Sequence, residues 1–423
     1  MNQESSGAPP VQEELDPFLV APFLTAAARW NSWWFTCTFP LLGGLIFFAA
    51  AIEGTLGNPS DFQPLVDLRR IFGFAESPAL PAFPLLRDVA SWFLVCVASA
   101  TCVLVHRQWQ LMRLCIRSIA ETGAVKPLKE PDYRRIHKMV LLPRLLDGAE
   151  DYRHLDALVK SVNRGMAKVG LFNVLPSFMA VLLTVVVIVG VSKNGLFGVL
   201  SPPGLSAAAE GDWLHRAYES WWASLGNRFG LIAYGAMACI GIFVILVQNL
   251  VGFFCVYIII CMPAVVELDA DWLNRDGSYG WRDFARTYRS TVWSLALHGF
   301  GLSVLLVALG IRNFPSILGL VALWVVVVPF YIILPSRVFR NVQAAAKERR
   351  ISVINAVLVA EGINESDVSR WQPFRDEIDK INSARINPLK IRPFELPAFL
   401  VVVILPIILT AAQIVLPLSL SGK

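Results

Sequence analysis

Charged side chains are scarce in this chain. They make up 16% of its 423 residues, against about 25% in an ordinary soluble protein. The deficit is gathered into continuous apolar runs, the pattern a lipid bilayer requires. Enzyme signatures are missing as well. No P-loop, G-x-G-x-x-G, G-x-S-x-G, H-E-x-x-H or C-x-x-C occurs, so the usual phosphate-loop, dinucleotide, hydrolase, zinc-protease and redox-pair templates have no foothold. No nucleic-acid-binding module is recognisable either. The expectation is a protein with no enzymatic activity, no catalytic residue, no metal and no cofactor.

Charge is scarcer still inside the apolar runs. His298 is the one clear titratable group within a run, and Glu395 stands at the entry of the last. A proton-coupled pump or carrier normally needs an intramembrane carboxylate or basic relay, because a buried charge is expensive and kept for function. Its absence counts against that class. The seven cysteines, Cys37, Cys96, Cys102, Cys115, Cys239, Cys255 and Cys261, avoid the outer loops and read as small packing residues. The first 16 residues carry Glu4, Glu13, Glu14 and Asp16 without a basic segment, so no secretory leader is expected. Residues 1–15 have the composition of a disordered tail.

What is present is a set of long apolar stretches, at 32–52, 88–106, 170–192, 229–250, 292–311, 315–335 and 396–418. Each approaches the roughly 20 residues that cross a hydrocarbon core. The expected fold is therefore all-α, a polytopic integral membrane protein with about seven transmembrane helices and two cytoplasmic helical lobes. The fourth run stays apolar to Pro263 apart from Gln248 and Asn249, with no turn signal. It predicts one long helix whose continuation, Val251 to Met262, is buried by protein.

The basic residues fall on alternate connections. With the N-terminus inside, the outer segments hold Arg69, Arg70, Arg87, Lys193, Arg216, Arg228, Arg312 and Lys423, a minority of the 37 Lys and Arg. The positive-inside rule then gives a bacterial inner-membrane protein with its N-terminus cytoplasmic and its C-terminus outside. The expected order is a cytoplasmic tail (1–31), spans one and two (32–106), a basic helical lobe (107–169), spans three and four with an outer interfacial helix (170–263), an acidic junction (264–291), spans five and six (292–335), a helical hairpin (336–392), and a last span (393–423). The interfacial helix, Ala207 to Leu225, carries Trp213, Tyr218, Trp221 and Trp222, rings that favour the headgroup level.

Three groups of residues are candidates for function. Gln248, Asn249 and His298 are polar within apolar runs. They read either as hydrogen-bonding glue between helices or as pore and gating residues of an oligomer. Glu267, Asp269, Asp271 and Asp276 form an acidic cluster where a helix leaves the membrane. It reads as a solvated turn or as a cation-attracting mouth. A partial likeness to a calcium loop fails at Trp272 and Asp283, which stand where ligands belong. Arg134, Arg135, Lys138, Lys347, Arg349 and Arg350 would contact anionic lipid headgroups or a small anionic, nucleotide-type ligand.

Asp276, Gly277 and Gly280, with Pro393-Phe394 further on, resemble a pattern in uncharacterised bacterial polytopic membrane proteins. There an H-P-D-G-x-x-G type loop follows a long helix, and a helical hairpin precedes the last span. Asn274-Arg275 replace the His-Pro here. The resemblance covers roughly the C-terminal half and implies architecture without an activity. The leading functional expectation is a homo-oligomeric, channel-like membrane protein or effector gated from its cytoplasmic helices. A carrier for a neutral or lipidic substrate and a non-transporting sensor or scaffold for a soluble partner are the alternatives.

Overall fold

The computed structural model describes residues 11–21, 37–57, 83–128, 152–171, 174–195, 206–309, 317–363, 368–384 and 403–412. These residues build ten helices: α1 (Thr38–Ile52), α2 (Val89–Glu121), α3 (Arg153–Leu171), α4 (Val174–Asn194), α5 (Ala207–Glu219), α6 (Arg228–Val265), α7 (Arg282–Leu309), α8 (Ile317–Ala360), α9 (Val368–Ser383) and α10 (Val403–Ala412). Two short strands, β1 (Val125–Pro127) and β2 (Val266–Leu268), pair antiparallel with Lys126 opposite Glu267. This small ladder and an isolated parallel bridge between Phe83 and Trp221 are the β contacts among the described residues.

Four helices, α2, α4, α6 and α8, are long and apolar enough to cross a membrane, while α1 and α10 are apolar but shorter. The protein is thus an integral membrane protein by the length and composition of its helices. The continuous apolar run predicts α6 correctly as a single helix of 38 residues. At about 1.5 Å per residue α6 is roughly 57 Å long and the 44-residue α8 roughly 66 Å. Both exceed a hydrocarbon core of about 30 Å.

The surplus length of α2, α6 and α8 gathers at one end of the bundle, with α3, the β1–β2 ladder and the start of α7. This is the basic end. The opposite end is rich in tryptophan. At the basic end Val251, Ile258, Met262 and Val265 of α6 are buried in one core with Trp109, Met112 and Ile116 of α2, Leu155 and Val159 of α3, and Trp281. That core explains how an apolar helix continues past the membrane. At the tryptophan end α1, α2, α6 and α8 share a second core containing Ile46, Trp222, Tyr234 and Leu306. By contrast, α4 leaves Phe178, Val181, Leu182, Val185 and Val189 exposed on one broad face, as a lipid-facing helix does.

One expectation is corrected. Residues 11–15 are not disordered: residues 11–21 form a strap across the basic end, with Val11, Leu15, Phe18 and Val20 all buried. Asp156 of α3 accepts the backbone N–H groups of Gln12 at 3.2 Å and Glu13 at 3.1 Å. The acidic residues face cations, Glu14 beside Arg113 at 3.3 Å and Glu13 beside Lys160 at 3.6 Å. Apolar anchors between the acids give this segment a surface to bury, which its composition alone conceals. Trp221 and Trp222 are both buried, and a carboxylate inside the protein takes their indole N–H groups.

That carboxylate is Asp88, only 1% exposed. It caps α2 through Ser91 N–H at 3.1 Å, and accepts Ser91 Oγ at 2.7 Å, Trp221 Nε1 at 2.7 Å and Trp222 Nε1 at 2.8 Å. Nearby, Glu53 accepts the first N–H groups of α6, Phe229 at 2.7 Å and Gly230 at 3.0 Å. Both carboxylates sit where a helix N-terminus offers unpaired donors and a positive dipole end.

Candidate functional site

The polar groups of the interior form two constellations. One lies between α2, α6 and α7. Gln248 Oε1 accepts Trp109 Nε1 at 2.9 Å, and its amide nitrogen donates to Gln108 Oε1. Gln108 in turn donates to Thr291 Oγ1, whose hydroxyl reaches the carbonyl of Thr287 at 3.2 Å. Gln108, Trp109 and Gln248 are all buried. A chain of satisfied hydrogen bonds in a low-dielectric interior fixes register between helices. Both ends of the Gln248 amide are engaged within a single chain, the hydrogen-bonding role between helices.

Asn249 takes no part in this relay. Its amide donates to Ile245 O of its own helix at 2.8 Å. Its backbone carbonyl accepts Tyr331 Oη of α8 at 2.6 Å. His298 lies further along α7, buried, on one stripe with Thr287, Thr291 and Ser294. The Nε2 of His298 and the Oγ of Ser294 have no hydrogen-bond partner among the described residues. The structure thus places the three predicted pore or gating residues in three separate settings.

The second constellation is at the basic end, where the acidic junction meets β1 and the long arm of α8. Glu267 pairs with Arg349 Nε at 2.8 Å. Asp269, 6% exposed, pairs with Lys126 and lies 3.9 Å from Arg349 Nη2. The same guanidinium donates to the carbonyl of Leu268. Two acids and two bases thus form a compact unit joining β1, β2 and α8. Residues expected at an acidic mouth and one expected to hold an anion are here each other's partners. The coupling crosses 81 residues of sequence between Leu268 and Arg349, which no local pattern could reveal.

The remaining hairpin cations are also engaged. Arg350 pairs with Glu377 of α9 at 2.7 Å, and Lys347 donates to the carbonyl of Asn382 at 2.6 Å. Lys347, Arg349 and Arg350 each hold the arm of α8 to a neighbour. Arg134, Arg135 and Lys138 lie outside the described residues. The hairpin core is small, formed by Ile354, Leu358, Ile363 and Ile381 with Trp272 of the acidic loop packed against it.

The acidic loop is rigid by construction. Asp276 accepts three backbone N–H groups, from Ser278 at 2.8 Å, Gly280 at 2.9 Å and Arg282 at 3.0 Å. The last belongs to the first turn of α7, so Asp276 anchors that helix start. Asp271 accepts the N–H of Leu273 at 3.2 Å and lies 3.4 Å from Arg275. Gly280 has φ +86 and packs so closely that a Cβ would come within 2.9 Å of Ala124 Cβ; glycine is needed there for both reasons. Trp281 then donates to the carbonyl of Asp269 at 2.9 Å. These bonds make Asp271 and Asp276 parts of a folded turn and leave their carboxylates engaged, so neither lines a cation-attracting mouth in this arrangement. Tyr152, before α3, donates to Val125 O at 2.8 Å, and burial raises its pKa above the ordinary tyrosine value.

No family model, curated protein or solved structure matches the chain.

Proposed function

We propose that this chain is a membrane effector that works as a homo-oligomer, with its spans moved by the helical hairpin at the basic end. In this reading seven segments cross a bacterial inner membrane, the basic end is cytoplasmic, and rearrangement opens a channel-like path without covalent chemistry. One observation carries it: α8 is a single helix from the membrane to the hairpin, and its arm is fastened to the acidic junction through Arg349. A helix pinned at one point transmits a push or a twist at its far end to its membrane half. A small anionic ligand would act by competing with Glu267 and Asp269 for Arg349, releasing the arm.

The test uses the full chain in liposomes loaded with a fluorescent ion reporter. The expected result is an oligomer in detergent, and ion flux that rises in Glu267→Gln and Arg349→Ala over the parent protein. A monomer passing no ions in any variant, with or without added nucleotides, would sink the proposal.

A second reading has an observation of its own. Val353, Val359 and Val368 are exposed on the hairpin helices, Val359 at 82%. Exposed apolar side chains on a projecting arm are suited to docking a soluble partner. A sensor or scaffold of this kind would hold its partner through the hairpin and conduct nothing.

A further inference from the structure

A cavity of about 60 Å³ lies at the basic end, between α2, α6, α7 and α8. One water needs about 10–15 Å³ on this measure, so there is room for an ion. Sulfur is concentrated in its wall: Met112 and Cys115 come from α2, Cys255 and Met262 from α6. Cys255 Sγ lies 3.5 Å from Met112 Sδ. All of the cysteines in the described residues are free. The cavity wall contains no histidine and no carboxylate.

We propose that this cavity is a binding site for a soft monovalent cation, Cu(I) or Ag(I), held by Cys115, Cys255 and Met112. Thiolate and thioether ligands select such ions, whereas Zn²⁺ takes about four thiolate, imidazole or carboxylate ligands, of which this wall offers two thiols, and Mg²⁺ and Ca²⁺ need oxygen. The charge also balances. One thiol gives up its proton to solvent and forms an S–metal bond, while the second sulfur and the thioether donate lone pairs. No oxidation state changes. A monovalent ion with one thiolate is neutral overall, which suits an apolar wall, since an uncompensated charge there would be costly. Met262 of α6 and Leu15 of the strap line the same cavity. The proposal goes beyond the effector reading and does not depend on it.

The test is an anaerobic titration of the full chain in detergent with Cu(I), in competition with a chromophoric Cu(I) chelator. The expected result is one ion per chain, about one proton released per ion, and X-ray absorption showing sulfur ligands alone. Cys115→Ser and Cys255→Ser should each weaken binding by more than the roughly 10–100-fold that a change in supporting residues costs. Met112→Leu, which keeps the cavity filled, should weaken it less. Cys102→Ser, outside the cavity, should leave it unchanged. Melting of each metal-free variant separates lost ligands from lost fold. Unchanged stoichiometry and affinity in a Cys115→Ser/Cys255→Ser double variant would overturn the proposal, as would nitrogen or oxygen ligation, or equal affinity for Zn²⁺. Recovery of a lipid or alkyl guest from the cavity with no Cu(I) bound would overturn it too.

Discussion

At the scale of single residues, the interior is held by polar groups whose partners are distant in sequence. Asp88 is the sharpest case. In the sequence it is a charge at the edge of an apolar run, and nothing nearby connects it to Trp221 and Trp222, 133 and 134 residues on. In the structure its carboxylate serves a helix cap and two indoles at once. Asp88→Asn would turn amide hydrogens toward indole donors, leaving buried N–H groups without an acceptor. The cost should be about 2–3 kcal/mol, the range for losing a charged hydrogen-bond partner in the interior. A fall in melting temperature with a red shift of tryptophan emission is the expected outcome; unchanged melting would mean that the indoles are satisfied elsewhere. Gly252 makes a second case. A Cβ there would lie 2.5 Å from Tyr331 Cε1, so Gly252→Ala should displace the ring, break its bond to Asn249 O and cost about 1–3 kcal/mol, as overpacking does. Gly252→Ala combined with Tyr331→Phe should lose little beyond Gly252→Ala alone, since the ring's hydrogen bond would already be broken. Additive losses in melting temperature would argue against this coupling.

At the scale of elements, the long helices were legible because their apolar runs and stop signals are local. Gly123, φ +76, follows the C-cap of α2, and Gly362, φ +64, follows α8, as their positions in the sequence suggest. What was not legible is how the elements are fastened. Residues 11–15 looked like a solvated tail because their acids mask Val11 and Leu15, and Arg349 looked free because Glu267 belongs to another element. Both fastenings can be tested. Asp156→Ala removes the acceptor of two strap N–H groups. Hydrogen exchange over residues 11–21 should accelerate severalfold while α6 stays protected; unchanged exchange would show that burial alone holds the strap. For the arm of α8, Glu267→Gln and Arg349→Ala should each accelerate hydrogen exchange along the arm, Arg349→Ala more; equal exchange in the two variants would show that Asp269 adds nothing. The pair is part-exposed, with about a third of each side chain or more open to solvent, so solvent screening should hold its contribution within about 1 kcal/mol. The larger effect of Arg349→Ala should come from Asp269, buried beside the same guanidinium.

At the scale of the whole molecule, the surplus length of the long helices decides where the membrane lies. If about 30 Å of α8 is in hydrocarbon, then roughly half of its length projects beyond it, and so does much of α6. The projecting halves carry the strap, α3, the ladder, the acidic loop and the hairpin, while the tryptophan end holds only α5 and short turns among the described residues. This asymmetry places the bulk of the folded polar mass on the basic end, which the proposal puts in the cytoplasm by the positive-inside rule. Single cysteines introduced into a variant with the native cysteines replaced can test this in intact cells with an impermeant maleimide. Glu210→Cys on α5 and Gly54→Cys after α1 should label from outside. Glu121→Cys at the end of α2 and Glu348→Cys on the arm of α8 should label only after lysis. Labelling of Glu121→Cys and Glu348→Cys in intact cells would reverse the orientation. It would also remove the cytoplasmic hairpin from any account of how the spans move, because a signal from inside the cell could then reach only the tryptophan end.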